Sequence, residues 1–211
     1  MKHACFSFLF LLLVGCTSVL TSRPSTTPLP GWRDPASDLL LAEDDLPDEW
    51  ARIRDWPKDS LSDPTINHVY RSWWRPNLDY GEFEQHIWRS FSPDDAHSFY
   101  LELRQDQYDP IKTPNPDQIY IPYRTPGEFE FQGGMAEEFY FACGWSGFPR
   151  CVAVGRYRNY TVELITDWQT TGPDGEVRNG LTYDEIETIL KAMDAKFEEF
   201  LNAFPLATST P

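Results

Sequence analysis

Two aromatic-rich segments in the first half of the chain alternate apolar and polar side chains, as half-buried β-strands do. They cover residues 65–74 and 81–91, and the alternation is clearest at 82–87. Only residues 75–80 separate the two segments. The pattern therefore predicts two strands that pair as a hairpin.

A helix is predicted directly after this hairpin. Ser92 is a typical N-cap residue, and Pro93 suits the first helical position. The next two residues are acidic, which the helix dipole favours in the first turn. Apolar residues then follow at helical spacing: Ala96, Phe99, Tyr100 and Leu103. This pattern predicts an amphipathic helix with one face on a core.

Three further strands are predicted in the second half of the chain, centred on Cys143, Val154 and Val162. A short interval that contains Gly and Pro follows the first strand, and Arg158-Asn159 links the other two. Short connections of this kind join antiparallel neighbours. The three strands are therefore expected to form a meander.

A proline-rich segment lies between the two halves, at residues 105–127. Its prolines exclude a long helix and leave room for a short strand at 119–123. Residues 128–131 are expected to begin another strand. An ordered surface crossover is the simpler interpretation of this segment, and a functional loop is the alternative.

The last predicted element is a long helix. Thr182 and Glu185 have the spacing of a capping box, in which each residue satisfies a backbone N–H of the other. Apolar residues recur over 186–201 at the helical period, with Glu and Lys on the opposite face. The helix should end near Asn202 and cover one side of the sheet, although a partner-docking or coiled-coil face is the alternative.

Together these elements predict an α+β fold: a mainly antiparallel sheet with an internal helix and a long C-terminal helix packed on it. We expect one domain at residues 38–204. Residues 16–37 are rich in Ser, Thr and Pro and should form a disordered tether, with a glycosylated stalk as the alternative. Residues 205–211 should form a disordered tail.

The first residues of the chain have the pattern of an export signal. A short positive start precedes an apolar run that is shorter than the roughly 20 residues of a membrane-spanning helix. The run ends in Leu13-Val14-Gly15-Cys16, which resembles the lipobox of bacterial lipoproteins. The resemblance implies that residues 1–15 are a signal peptide and that Cys16 becomes a lipidated N-terminus. An ordinary secretory signal or an uncleaved anchor is the alternative.

This resemblance also implies a location. The domain would lie on the extracytoplasmic side of the cell envelope, held to the membrane by its lipid. Thr17 follows the cysteine, where many double-membrane bacteria use Asp to retain a lipoprotein in the inner membrane. The outer membrane is therefore possible in such a host.

Charge narrows the range of partners. The chain has 18 basic and 33 acidic residues, a formal net charge of −15. Such a surface repels nucleic-acid phosphates and anionic lipid headgroups. We therefore expect no nucleic-acid partner, and membrane attachment through the lipid alone. The sequence does not fix the oligomeric state.

Two of the four cysteines, Cys143 and Cys151, flank the first hairpin loop of the predicted meander. The other two are Cys16 and a cysteine inside the signal peptide. An exported domain is expected to bond the remaining pair as a structural disulfide, with two free thiols as the alternative. Trp145 and Phe148 lie between the two cysteines, and exposed aromatic rings on such a loop would suit a binding surface. The alternative is that both rings fold back onto the sheet.

Signals of catalysis or of metal binding are weak. His68 and His86 lie on the two predicted strands of the first hairpin and could approach each other, but no third metal ligand can be placed. The segment Gly144–Phe148 lacks the last glycine of the GxSxG nucleophile motif. The acidic segment 43–49 lacks the spacing of a calcium loop. We therefore assign no catalytic residue, no metal and no cofactor.

The order of the elements and the segment Leu46-Pro47-x-x-Trp50 resemble the PsbP/Mog1-like group and related bacterial lipoproteins. That group consists mostly of assembly, binding or accessory proteins, so the resemblance implies a non-enzymatic role. The expected function is a lipid-anchored binding, assembly or scaffold module with an envelope protein or a cell-wall glycan as its partner. An extracytoplasmic carboxylate-dependent hydrolase is the alternative.

Overall fold

A computed structural model describes residues 36–47, 49–56, 67–78, 81–108, 120–146, 148–172 and 175–203. The predicted signal peptide, Cys16, most of the tether and the tail lie outside these residues. The strands and α-helices are β1 (Ala51–Trp56), β2 (His68–Trp74), β3 (Glu82–Arg89), α1 (Pro93–Tyr108), β4 (Tyr120–Arg124), β5 (Glu138–Ser146), β6 (Pro149–Tyr157), β7 (Tyr160–Asp167), β8 (Thr170–Thr171), β9 (Val177–Arg178) and α2 (Tyr183–Ala203). Two short 3-10 helices precede β1, at Ala36–Leu39 and Glu43–Asp45.

Seven strands form one antiparallel sheet in the order β1-β2-β3-β7-β6-β5-β4. Strands β1 to β3 form one meander and β4 to β7 form a second, and the two meanders join where β3 pairs with β7. Helix α1 connects the two meanders, and β8 and β9 form a separate small ribbon. The predicted α+β fold with a mainly antiparallel sheet is confirmed.

Helix α2 and the first 3-10 helix contribute to the main core, on the side of the sheet that we call the α2 face. Ile186, Ile189 and Phe197 of α2 are fully buried in this core, together with side chains from the central strands. Leu41 is also buried, and its backbone N–H donates to Gln85 Oε1 at 2.8 Å. Ala36, the first described residue, is also buried in this core.

Helix α1 packs on the opposite side, which we call the α1 face, against β6 and β7. Its residues Tyr100 and Leu103 form a smaller core with Val152 and Val154 of β6. The hydroxyl of Thr161 on β7 donates to the carbonyl of residue 96 at 3.2 Å. The helix therefore covers the β6 and β7 part of this face, while β2 and most of β3 lie beside it.

Both predicted helix starts are confirmed. Ser92 Oγ accepts the backbone N–H of Asp95 at 3.1 Å, as an N-cap does. Thr182 Oγ1 accepts the N–H of Glu185 at 3.3 Å, and the carboxylate of Glu185 accepts the N–H of Thr182 at 2.8 Å. None of the helices in the described ranges is long and apolar enough to cross a lipid bilayer.

Two sequence expectations about strands need correction. Residues 128–131 do not form a strand, because the carboxylate of Glu187 on α2 accepts the backbone N–H groups of Glu130 and Phe131 at 2.6 and 3.2 Å. Those donors are therefore used by a side chain instead of a neighbouring strand. Strand β1, at 51–56, was not predicted, and most of its side chains are exposed.

Candidate functional site

The candidate site lies on the α1 face beside helix α1, and we call it the open face. Alternate side chains of β2 and β3 form most of it, and the adjoining ends of β7 and β6 complete it. Its residues are Arg54, Trp56, His68, Tyr70, Ser72, Trp74, Glu82, Glu84, His86, Trp88, Arg150 and Asp167, with Phe148 in contact with Arg150. In-register pairing places these side chains in rows across the strands, with neighbouring Cβ atoms about 5 Å apart.

Four stacked rings run along β2 and β3, and we call them the aromatic row. The rings of Trp88 and His68 are parallel, with centroids 4.6 Å apart. His68 stacks on His86 at 5.5 Å, and His86 stacks on Tyr70 at 4.8 Å. The guanidinium of Arg54 lies 5.2 Å from the centre of the Tyr70 ring, a cation–π distance. All four rings are half-buried.

The two histidines of the row form a hydrogen-bonded chain with the carboxylate of Glu84. His68 Nε2 lies 3.3 Å from His86 Nδ1, and His86 Nε2 lies 3.4 Å from Glu84 Oε2. The hydrogen bond from His86 lowers the pKa of Glu84. Burial, with the nearby His86, lowers the pKa of His68 to about 4, so His68 is neutral at neutral pH.

The structure thus brings together the two histidines that the sequence placed on neighbouring strands. In the described part of the chain, no three His, Cys, Asp or Glu side chains are arranged to hold a metal ion. The pair is instead part of a stacked, hydrogen-bonded row. Its chemistry here is that of aromatic packing and polar contact.

A cavity of about 80 Å³ lies beside the row, and we call it the charged cavity. Its lining residues are Glu82, Glu84, Arg150, Ile165, Thr166 and Asp167. Arg150 on β6 is directly opposite Asp167 on β7, and the β3–β7 register places Glu82 on the other side of Asp167. The carboxylates of Glu82 and Asp167 and the guanidinium of Arg150 therefore lie side by side on three adjacent strands.

Glu84 in the charged cavity is paired with His86 and with Arg54, whose guanidinium lies 3.6 Å from its carboxylate, but in the part of the chain that the structure describes the other charged groups of the cavity are not. Within the described residues, the carboxylates of Glu82 and Asp167 have no hydrogen bond and no ion pair. Arg150 Nε is buried and also has no hydrogen-bond partner there. Burial raises the pKa of Asp167 to about 6; Arg150 opposes this change, and Glu82 and Glu84 add to it. Burial and the charge of Glu84 also raise the pKa of Glu82.

Exposed aromatic side chains surround the cavity and the row. Trp56 is 52% exposed and lies opposite Tyr70, and Trp74 is 43% exposed and lies opposite Glu82. Phe148 is 39% exposed, and the guanidinium of Arg150 lies 4.3 Å from the centre of its ring. Large exposed rings around a group of charges are typical of a recognition surface.

The sequence-predicted site residues have mixed outcomes. Cys143 and Cys151 form a disulfide between directly opposite positions of β5 and β6, and both side chains are buried in the main core. The proposed surface of Trp145 and Phe148 is wrong for Trp145, which is only 5% exposed. Strand β5 continues to residue 146, so Trp145 is part of the strand and pairs with Pro149. Cys16 lies outside the described residues.

Sequence reasoning missed Arg150, Asp167 and the two exposed tryptophans as site residues. The signal that could have found part of the site is the polar side of β3, where Glu82, Glu84 and His86 alternate with apolar residues. The partner strands of β3 follow only from the sheet order.

No protein-family model matches this chain, and no curated protein matches it. The chain is similar in structure to the extracellular domain of PknH from Mycobacterium tuberculosis. The TM-score is 0.49 and the sequence identity is 10%, over 82% of this chain and 99% of that chain. Neither family nor function follows from a likeness of this size.

Proposed function

We propose that this protein is a lipid-anchored, extracytoplasmic, non-catalytic module that binds a protein of the cell envelope on its open face. The observation that carries the proposal is the ring of exposed aromatic side chains around unpartnered charges. The lipobox-like segment Leu13-Val14-Gly15-Cys16 supports the anchor and the location. The tether of residues 16–37 would hold the domain away from the bilayer.

Charge favours a protein over a glycan among the two partner classes that the sequence left open. The cavity has three carboxylates against one guanidinium, and the whole chain has a net charge of −15. A basic protein surface gains from this field in both rate and specificity of association. A neutral glycan could stack on Trp56 and Trp74, but it would leave the charges of Glu82 and Asp167 uncompensated.

Site-specific crosslinking in the native host tests the binding face. A photo-crosslinking residue at position 74 of the lipidated protein should form a protein adduct, because Trp74 is on the open face. The matched control is the same residue at Glu198, which is exposed on α2. Equal adducts at both positions, or an adduct at 74 that a cell-wall glycosidase removes, would contradict the proposal.

The anchor is tested by Cys16→Ser. The wild-type protein should incorporate labelled palmitate and partition into detergent, and the variant should do neither because it lacks the acylated thiol. Cys143→Ser is the matched control, since it makes the same substitution at a disulfide-bonded cysteine of the folded domain and should leave labelling unchanged. Retention of the label in Cys16→Ser would refute the lipid anchor.

A carboxylate-dependent hydrolase is the second candidate, and one observation favours it. A carboxyl group with a pKa of about 6, such as Asp167, beside a second carboxylate is the arrangement that glycosidases use for a general acid. Release of soluble fragments from purified cell wall by the wild type, lost in Asp167→Asn, would support the hydrolase and overturn the non-catalytic proposal. We expect no such release.

A further inference from the structure

We propose that the charged cavity binds a small zwitterion, a free amino acid or a close analogue with one ammonium and one carboxylate group. The inference rests on the proposed function in one respect only, that the open face is a binding surface. It adds a small-ligand site of stated chemistry to that face.

The acceptor side of the site consists of Glu82 and Asp167. These two carboxylates stand next to each other on β3 and β7, and within the described residues neither has a donor. A carboxylate that is partly withdrawn from water without a donor is costly. An ammonium group has three N–H donors and a positive charge, so one such group can serve both acids.

The donor side of the site is Arg150. Its Nε is buried without a hydrogen-bond partner in the described structure, and its guanidinium lies over the ring of Phe148. No ion pair within 4.0 Å joins Arg150 to Asp167, although the two residues are directly opposite each other. The guanidinium therefore keeps its donors for another acceptor, and a ligand carboxylate fits two of them side by side.

The two halves together specify the ligand class. An ammonium compound alone would leave the positive charge of Arg150 without an acceptor, and a carboxylate alone would face Glu82 and Asp167 with like charge. A ligand with both groups satisfies both halves at once. Asp167 and Arg150 are directly opposite each other on adjacent strands, about 5 Å apart at Cβ, so the two ligand groups must be close together, as they are on an α-carbon.

The size of the cavity agrees with a small ligand. A water molecule needs roughly 10–15 Å³ measured in this way, so about 80 Å³ holds on the order of six waters or the head of an amino acid. Drug-sized ligands occupy pockets of about 300–1,000 Å³. Among the described residues that line the cavity, Ile165 alone has an aliphatic side chain, so charge and not apolar contact would supply most of the affinity.

The test uses the full mature protein in detergent, with L-alanine as the probe. Saturation-transfer NMR should show saturable binding of alanine. Ethylamine has only the ammonium group and propionate has only the carboxylate, and each should bind at least about tenfold more weakly, because each leaves a charged hydrogen bond unmade. Equal responses to the three compounds, or no saturable response to alanine, would overturn the proposal and leave ordered water as the occupant.

Variants separate the two halves of the site. Asp167→Asn should weaken alanine at least about tenfold and abolish the ethylamine response, while it leaves propionate binding intact or stronger. Arg150→Gln should weaken alanine to a similar extent and abolish the propionate response. Glu102→Gln, on the exposed side of α1, is the matched control and should bind alanine as the wild type does. Unchanged alanine binding in both cavity variants would refute the site.

Failure of this inference is distinguishable from failure of the proposed function. If alanine does not bind but position 74 still forms a protein adduct in cells, the open face binds a protein and the cavity holds only water. If alanine binds but no adduct forms, the cavity site stands and the protein-docking proposal fails. Thermal unfolding of each variant shows that it is folded before binding is measured.

Discussion

Replacing Asp167 by Asn should stabilise the protein at pH 8, although the residue belongs to the candidate site. Burial raises the pKa of Asp167 from 3.8 to about 6, with Glu82 and Glu84 acting in the same direction and Arg150 against it. At pH 8 the folded protein must therefore keep an ionised carboxylate where the neutral form is favoured. Asparagine has nearly the same shape and no charge, so it removes this cost.

The sign and the size of the change in the free energy of unfolding follow from proton linkage. The pKa of Asp167 is higher in the folded chain than in the unfolded chain, so the folded state binds more protons between about pH 4 and pH 6. The contribution of Asp167 to stability is therefore fully present below about pH 4 and is lost as pH rises through 6. A shift of about two units corresponds to about 3 kcal/mol. Solvent screening at this partly exposed group reduces the expected gain at pH 8 to about 2 kcal/mol.

Urea unfolding followed by tryptophan fluorescence measures this effect. Asp167→Asn should raise the free energy of unfolding by about 2 kcal/mol at pH 8 and change it little at pH 4. Glu187→Gln is a control that should change the free energy of unfolding in the opposite direction. Burial raises the pKa of Glu187, but the N–H groups of Glu130 and Phe131, with Lys191, lower it overall. That variant should lose stability at pH 8. An Asp167→Asn protein that is less stable at pH 8, or equally stabilised at both pH values, would refute the reasoning.

Three further predictions concern the scaffold, and urea unfolding at pH 7 checks each of them. Replacing Cys143 and Cys151 together by Ser should cost about 2.5 kcal/mol, since the bridge closes a loop of about nine residues, and the wild type under reducing conditions should show the same loss. Gly134→Ala should cost about 1–2 kcal/mol, because residue 134 has a φ of +51° and a Cβ there would clash with the carboxylate of Asp194 on α2. Gly127→Ala, with open space around its Cβ, is the control and should change stability by less than about 0.5 kcal/mol. Thr182→Ala should cost about 1 kcal/mol by removing the cap of α2, and Thr182→Ser should restore most of it.

The elements that the sequence predicted correctly are those with strong local signals. Helix α2 begins at a capping box whose two hydrogen bonds involve only Thr182 and Glu185, residues close together in the chain. Helix α1 likewise begins at Ser92 with a local bond to Asp95. Strands β2 and β3 are joined by a short connection, so their pairing also depends on nearby residues. Local chemistry of this kind can be read without knowledge of the rest of the fold.

The elements that the sequence missed depend on distant contacts. The backbone of Leu41 is held by the side chain of Gln85 on β3, and nothing near Leu41 in the sequence indicates this partner. Strand β1 pairs with β2 across the segment 57–66, and its exposed side chains give it no clear apolar alternation. Residues 128–131 were expected to form a strand, but the N–H groups of Glu130 and Phe131 donate to Glu187. Glu187 is far along the chain, and nothing near 128–131 in the sequence indicates it as their acceptor.

The candidate site is predictable only in part for the same reason. Alternation on β3 shows that Glu82, Glu84 and His86 share a side, and the sequence alone indicates that much. The charged cavity also needs Asp167 and Arg150, which join Glu82 because β7 pairs with β3 and β6 pairs with β7. That order places the second meander with its last strand against β3. Periodicity indicates which side of a strand is polar, but not which strands are neighbours.

Most of the apolar core lies on the α2 face of the sheet, and this explains how the α1 face tolerates charged side chains without partners. The α2 face contains the main core, in which Phe83 and Ile87 are the buried side of β3. On the α1 face the smaller core of Val152 and Val154 is confined to the part beneath helix α1. Trp88 at the end of β3 packs against this smaller core, but the positions of Glu82, Glu84 and His86 on the same side are not in either core and are available for polar groups. The ionised carboxylate of Asp167 lowers the stability of the folded protein, as we infer above. A destabilising group of this kind is expected at a site where it contributes to binding.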